Sequence, residues 1–446
     1  MQGAPRAGLL SLPNDVLRLI LVQLPSASVL ALRLVCRRFF AVEEACFALL
    51  LARITTMQPL ISEAAVARVL VKVFRKPLFL TRESSSVQLV ARVDHTKREL
   101  LARRVYAASF RDPRQQYSQA TLHGGFLAES CHLLADDEVF CAGNGLLRCT
   151  GFADARMAAT ERCEMPFEEA IFISCSVLLR DGARVVVGAN SGELGLLGLP
   201  RGEAMDLPSM QQWMVSRVSG GGSGSGVSSE VVAVSLVSGG DTLVTTAAHC
   251  IEQRDLAAQA VTRLTAANKL LHEGKRVGWR NPRGKLQDTV CLEPHLLAVS
   301  GEENLLLCDL RTEDLVVGLL NSNATKLGHS YCIRSLAAER HGQLLYSGGG
   351  DGNVCLWDLR RNGGCAAAPL ARAAAAGSFV VDVRVDCDNV FVSYQEGHVQ
   401  QFKRDLSAMG LRLGAPGQGV LSYDVRADSV VACFNTGQVD LFRVAF

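Results

Sequence analysis

Four places along the chain carry residue types that could do chemistry. His249, within the run Thr246 to Cys250, has the imidazole of a general base, which needs a hydroxyl or thiol nucleophile within hydrogen-bond reach. No Gly-Asp-Ser-Gly-Gly segment follows it and nothing else offers an activated nucleophile, so hydrolysis is set aside and no catalytic residue is assigned. Gly348 to Gly352 could turn backbone N–H groups toward a phosphate, but no Lys-Ser or Lys-Thr follows and no helical pattern opens there. That run reads as a turn between strands. Cys131 with His132, and Cys141 with Cys149, come nearest to a metal-ligand set, yet their spacing suits neither a zinc knuckle nor a helical pair. They read as buried thiols, and no metal or other cofactor is expected. Arg334 remains, with a guanidinium whose parallel donors suit a carboxylate or phosphate, or which serves as a structural ion pair or an exposed side chain.

These residues sit in a chain of 446 residues, roughly three average domains long. Hydrophobic residues make up 48% and charged residues 20%, an ordinary globular balance that excludes a mostly disordered chain. The net charge of +2 gives the whole molecule no electrostatic reason to seek nucleic acid or a membrane. Within the first fifty residues Pro13, Asp15, Arg18 and Pro25 interrupt every apolar run before it reaches the roughly 18 residues of a membrane span, and the charges argue against a secretory leader. Fifteen cysteines, an odd count without a Cys-x-x-Cys pair, argue against a disulfide framework. A soluble intracellular protein, cytoplasmic or nuclear, is expected.

Charge and periodicity divide the chain into three. Residues 1–51 carry +2, residues 52–115 carry +8, and the remainder carries −8. From 9 to 54 the pattern is helical: Val16, Leu17, Ile20, Leu21 and Leu24 share one face, with Pro13 in the first turn and Pro25 ending the helix. A second helix carries Val29, Leu30, Leu32 and Val35, and a third runs through Phe39, Val42, Phe47 and Leu50. So small a unit buries too little surface to be secure alone and wants a partner. Residues 55–115 read as a basic helical linker, with Arg68, Lys72, Arg75 and Lys76 either solvated or facing an anionic partner.

From 116 to 446 the period becomes that of short strands separated by Gly, Asp and Asn turns, and one phrase of three strands returns seven times. The copies align at Cys131–Arg148, Phe172–Gly198, Val231–Ala257, Val290–Asp309, Ile333–Asp358, Val380–Lys403 and Leu421–Val444. Such an all-strand repeat marks the blades of a β-propeller. The last copy holds only three strands, so its fourth must come from upstream: residues 116–123 are the first choice and residues 87–93 the second. Residues 219–226 and the Ala-rich 366–376 read as insertions, and 255–275 as an inserted helix carrying Leu256, Val261, Leu264, Leu270 and Leu271.

Two resemblances sharpen this outline. Gly328 and His329, Ser347, Asp351, and Trp357 with Asp358 resemble a WD repeat, in which the His, Ser, Asp and Trp form a hydrogen-bonded structural tetrad. Leu12 to Pro25, followed by Val29 to Phe39, resembles an F-box, a helical unit that docks on the Skp adaptor of a cullin-RING ubiquitin ligase. The resemblance implies adaptor contacts from Leu12, Pro13, Leu17, Ile20, Leu24, Leu30, Val35, Cys36 and Phe39. Together they resemble the F-box and WD-repeat proteins: mainly β, a WD-type propeller of seven blades behind a small all-α F-box and a helical linker. That family supplies non-catalytic substrate receptors of SCF-type ligases, which hold a protein target, phosphorylated or not, on the propeller face. Arg334, one residue after the apolar residue that follows Gly-His, falls where members of the family read phosphate. The copies at Asp382 and Ser422 are taken as its counterparts, so a multi-arginine pocket is not expected. The competing reading is a WD-type scaffold without a ubiquitin role.

Overall fold

A computed structural model describes Pro13, Val16 and Leu17 and most of residues 117–444; the longer stretches outside the description are 18–116, 200–209, 215–230, 271–285 and 360–370. The strands form seven antiparallel sheets of four, a seven-bladed β-propeller. The first strand, β1 (Tyr117–His123), stands apart from the rest. Blade 1 follows with β2 (Ser130–Leu133), β3 (Glu138–Gly143), β4 (Leu146–Ala153) and β5 (Ala158–Pro166). Blade 2 is β6 (Ile173–Leu178), β7 (Arg184–Ala189), β8 (Glu193–Gly198) and β9 (Met210–Met214). Blade 3 is β10 (Val231–Leu236), β11 (Thr242–Ala247), β12 (Cys250–Asp255) and β13 (Ala260–Ala266). Blade 4 is β14 (Asp288–Glu293), β15 (Leu296–Ser300), β16 (Asn304–Asp309) and β17 (Val316–Asn321). Blade 5 is β18 (Ile333–Ala338), β19 (Leu344–Gly349), β20 (Asn353–Asp358) and β21 (Ala371–Ala374). Blade 6 is β22 (Val380–Asp386), β23 (Asn389–Tyr394), β24 (His398–Lys403) and β25 (Ala408–Leu413). Blade 7 is β26 (Val420–Arg426), β27 (Ser429–Phe434) and β28 (Val439–Val444), completed by β1.

The second strand of each blade explains its own composition. It is sandwiched inside its sheet and covered on both faces by neighbouring blades, so β3, β19, β23 and β27 are buried at every residue and are mostly apolar, with polar residues such as Glu138, Ser347, Ser393 and Ser429 among them. Among the described residues the apolar core falls into seven clusters, one at each junction between adjacent blades. Each blade is therefore held by its two neighbours, and the ring has no spare contact.

A second ring lies along the first strands, where polar side chains cross every junction. His132 Nε2 lies 2.7 Å from Ser176 Oγ between blades 1 and 2. Ser174 Oγ donates to the Val231 carbonyl between 2 and 3, and Ser235 Oγ to the Thr289 carbonyl at 2.6 Å between 3 and 4. The Leu336 N–H donates to Asp288 (2.7 Å) between 4 and 5, and Ser335 Oγ to Asp382 (2.7 Å) between 5 and 6. Arg384 Nη1 donates to Asp424 (2.8 Å) between 6 and 7, and the Leu133 N–H to Asp424 (2.8 Å) between 7 and 1. Burial would raise the Asp424 carboxyl, but Arg384, His132 and the Leu133 N–H together outweigh it and hold it down at about 2. Asp288 behaves oppositely. Burial and the nearby Asp382 carboxylate outweigh its two backbone N–H donors and push it up to about 7.

The closing strand lies where residues 116–123 were expected to supply it: β1 pairs antiparallel with β28, from Tyr117 opposite Val444 to His123 opposite Val439. Asp440, 2% exposed, ties the two ends of the propeller sequence together by accepting from Gln119 Nε2 (2.8 Å) and Thr121 Oγ1 (2.9 Å).

Three expectations are corrected. Residues 255–275 do not form a wholly helical insertion, because Ala260–Ala266 is β13, paired along β12 from Cys250 opposite Ala266 to Asp255 opposite Ala260. Its β-branched Val261, Thr262 and Thr265 favour a strand, and the outermost position leaves Val261 and Leu264 partly in solvent. The Ala-rich 366–376 is not wholly an insertion either: Ala371–Ala374 is β21, held by backbone pairing to β20. The counterparts of Arg334 are also displaced. A bulge at Ile333/Ser335 recurs at Val380/Asp382 and Val420/Ser422, so Asp382 and Ser422 match Ser335, while Arg334 corresponds to Val381 and Leu421. The insertion expected at 219–226 lies outside the described residues.

Two predictions follow from these contacts. Asp440→Ala strands donors on both sides of the closing strand pair, Gln119 and Thr121 on β1 and Gln438 beside β28, and is expected to lower unfolding stability by about 1–3 kcal/mol in a denaturant titration; an unchanged midpoint would contradict the role given to Asp440. At position 288 the folded chain holds more proton than the unfolded chain between pH about 4 and about 7, so stability contributed there declines as pH rises through that window. Thermal scans of Asp288→Asn at pH 5 and pH 8 are expected to differ by several degrees less than those of the native chain.

Candidate functional site

The best-defined polar constellation lies at one edge of blade 5. His329 comes from the loop before β18, Ser347 from β19, Asp351 from the turn into β20, and Trp357 from β20 itself. Trp357 Nε1 donates to Ser347 Oγ at 2.8 Å, and Ser347 Oγ lies 2.8 Å from His329 Nε2. His329 Nδ1 lies 3.0 Å from Asp351 Oδ1, and Asp351 Oδ2 accepts from the Ser330 N–H at 2.9 Å. The indole can only donate, so the Ser347 hydroxyl accepts from it and donates its own O–H to Nε2, which assigns the histidine proton to Nδ1, facing the carboxylate. Burial alone would raise the Asp351 carboxyl, but the His329 contact and the backbone donors hold it well below the usual carboxylate range. Trp357 and Ser347 are wholly buried. The group acts as a brace that fixes the loop and turn at this edge.

Two glycines make room for it. A Cβ on Gly349 would lie 2.3 Å from His329 Nδ1, and one on Gly350 would lie 2.6 Å from the Tyr331 ring. Blades 6 and 7 solve the same corner differently, since Tyr394 and Phe434 hold the register position of Gly349. Tyr394 stacks on His398 at 4.8 Å. Burial and the adjacent Arg412 push the His398 imidazole down to about 4, which keeps it neutral. An aromatic ring on the strand replaces the histidine of the loop.

The brace supports an exposed surface. Arg334 is exposed, with its guanidinium 5.6 Å from the centre of the Phe379 ring in the loop before β22. Phe379 stacks on Tyr331 at 6.4 Å with the planes 15° apart. Both rings are large and open to solvent, Tyr331 56% and Phe379 43% exposed. Arg334 was legible in the sequence; Tyr331 and Phe379 were not. Their signal is an aromatic residue placed just ahead of the apolar residue that begins an inner strand, in Tyr331-Cys332-Ile333 and Phe379-Val380.

The remaining candidates are scattered. Cys131 and His132 are adjacent on β2 and serve different contacts, Cys131 toward Ser422 and His132 toward Ser176. Cys141 and Cys149 are buried. Among the described residues no group of His, Cys, Asp and Glu is placed to hold a metal ion, and no helix is long and apolar enough to cross a membrane. His249 lies outside the described residues. Near the N-terminus Pro13 is exposed and Leu17 is fully buried, and the Leu17 N–H donates to the Pro13 carbonyl at 3.0 Å, a first helical turn. Leu12, Ile20, Leu24, Leu30, Val35, Cys36 and Phe39 lie outside the described residues.

Comparison with known proteins decides the nature of this N-terminal segment. Residues 9–42 match the model of the F-box domain. No curated protein matches the chain. Among solved structures, that of U3-55K is similar with a TM-score of 0.55 and 13% identity, over 73% of this chain and 98% of that one. At that identity the likeness concerns the fold alone. The chain thus joins an F-box domain at residues 9–42 to a seven-bladed β-propeller.

Trp357→Phe keeps the ring and deletes the indole donor, leaving Ser347 short of a partner. It is expected to cost about 1–3 kcal/mol in denaturant unfolding. Unchanged stability would show that the brace is not held through the indole.

Proposed function

We propose that the chain is the substrate receptor of an SCF-type ubiquitin ligase. The single observation that carries this reading is the joining of an F-box domain, residues 9–42, to a closed propeller ring in one polypeptide. The N-terminal unit, residues 9–54, docks on the Skp adaptor through the apolar stripe of Leu12, Pro13, Leu17, Ile20, Leu24, Leu30, Val35, Cys36 and Phe39. Residues 55–115 link it to a WD-type propeller over 116–446, for which the bonding of His329, Ser347, Asp351 and Trp357 is the support. The propeller binds the target protein, with Arg334 among its contacts, and the complex works inside the cell, in the cytoplasm or nucleus.

The mechanism is proximity. The receptor tethers an acceptor lysine near the ubiquitin-charged conjugating enzyme and raises its effective concentration, so this chain needs no catalytic side chain of its own. A rigid ring suits that task because a target held on it keeps a defined position relative to the tethering domain.

Co-purification with the Skp adaptor tests the reading. The native chain is expected to recover the adaptor, and a Leu12→Asp, Pro13→Ala variant to lose most of it, since the first places a charge within the apolar stripe and the second removes its rigid entry. Equal recovery by both would remove the ligase assignment and leave the propeller fold untouched.

A further inference from the structure

Resting on the reading of the propeller as the target-binding part, we propose that Tyr331, Phe379 and Arg334 form the anchor for an unphosphorylated peptide segment of the target. That segment carries an Asp or Glu side chain within about two residues of an aromatic or large aliphatic one.

The argument starts from the rings. Stacked aromatic side chains with roughly half their surface in water are costly to leave open, and these two come from different blades yet meet in one patch. Tyr and Arg at such a surface are the residue types that most often dominate a protein interface. The patch is also pre-formed, because Gly350 gives Tyr331 its seat on the blade-5 turn, and the Cys332 carbonyl accepts from the Gly350 N–H at 2.7 Å. A partner meeting it pays little ordering cost.

Charge narrows the partner. Arg334 has no carboxylate partner among the described residues, and its flat face lies over Phe379. Five blades share the bulge, and the residues in it are Ser174, Val232, Arg334, Val381 and Leu421, one cation among five. Among the described residues a phosphate dianion would meet a single guanidinium there, whereas one carboxylate matches one guanidinium in charge and in its two-point geometry. The distances of 5.6 Å and 6.4 Å across the patch correspond to about two residues of extended chain, which sets the spacing between the acidic and apolar side chains.

The surface beyond the rings suits a passing backbone. The Phe379 carbonyl accepts from the Gln395 N–H, and the Gly419 carbonyl from the Asn435 N–H, which carries the same edge from blade 6 to blade 7. Gln395 and Asn435 are exposed uncharged amides, able to donate to and accept from an extended peptide without adding charge.

The test is a selection from a phage-displayed random dodecapeptide library on the full-length chain, followed by fluorescence polarisation with the enriched peptides. Expected is a motif pairing Asp or Glu with an aromatic or aliphatic residue. Its binding is expected to weaken at least tenfold in Tyr331→Ala and in Phe379→Ala, with melting temperatures unchanged. Arg334→Glu is expected to shift the selected motif from acidic to basic peptides, a gain that a misfolded variant could not give. The proposal is overturned if no motif emerges, if binding survives both ring variants, or if phosphoserine at the acidic position binds tenfold tighter than Glu. The selection uses no adaptor, so its failure is read separately from a failure of adaptor docking.

Discussion

The molecule depends on closure of a ring. A four-stranded blade buries both faces only when it has a neighbour on each side, and the seven apolar clusters are the seven places where that happens. Opening any one junction would expose the flat apolar faces of two blades. The seam inside blade 7, between β28 and β1, is the vulnerable one, because that blade is assembled from both ends of the propeller sequence. The chain answers with backbone pairing along β1 and β28, with Asp440 joined to Gln119 and Thr121, and with Arg426 Nη1 donating to the Leu133 carbonyl at 2.9 Å. A ring closed by its own first and last strands leaves no blade without a neighbour on each side, whereas the F-box domain at residues 9–42 belongs to a class of unit too small to bury much surface alone.

Closure also explains where polar groups may be buried. Asp288, Asp382, Arg384 and Asp424 lie along the inner strands, where the blades converge and burial would otherwise penalise charge. Asp382, Arg384 and Asp424 are tolerated as charges because each answers a neighbour across a junction, and Arg384 is shared by two carboxylates, Asp382 at 3.0 Å and Asp424 at 2.8 Å. Asp288 has backbone N–H donors but, among the described residues, no cation beside it that offsets its burial. The belt fixes the inner strands, and the loops leading into those strands carry Tyr331 and Phe379. A rigid platform for the exposed patch is thus a consequence of how the ring is bonded at its centre, reinforced in blade 5 by the Trp357 brace.

Much of this was legible in the residues. The second strand of each blade announces itself because it is buried on both faces, as in Val390 to Tyr394 and Val430 to Phe434. The brace was legible through the resemblance of Gly328-His329, Ser347, Asp351 and Trp357-Asp358 to a WD repeat, and its hydrogen bonds give each buried polar group a partner. The closing strand could be inferred because a blade of three strands has an open edge. Outer strands were the weak point. β21 is Ala-Arg-Ala-Ala, with no pattern of its own, since a strand at the rim is held by backbone bonds to β20 more than by side-chain burial. β13 mixes Val261 and Leu264 at a spacing that a helix could share, and only pairing with β12 distinguishes them. Bulges misled the register by one residue, placing Asp382 and Ser422 where Val381 and Leu421 stand. Tyr331 and Phe379 were missed because an aromatic residue beside an apolar strand reads as core until its exposure is known.

In the proposed reading the ring is complete in itself, whereas the F-box domain at residues 9–42 is completed by another polypeptide. Hydrogen exchange of the full-length chain, with and without the Skp adaptor, tests both halves at once. The account predicts slowed exchange within residues 9–42 when the adaptor is added, and equally protected amides in β1, β27 and β28 in either state. Exchange in residues 9–42 that ignores the adaptor, or β1 exchanging freely while β28 stays protected, would contradict it.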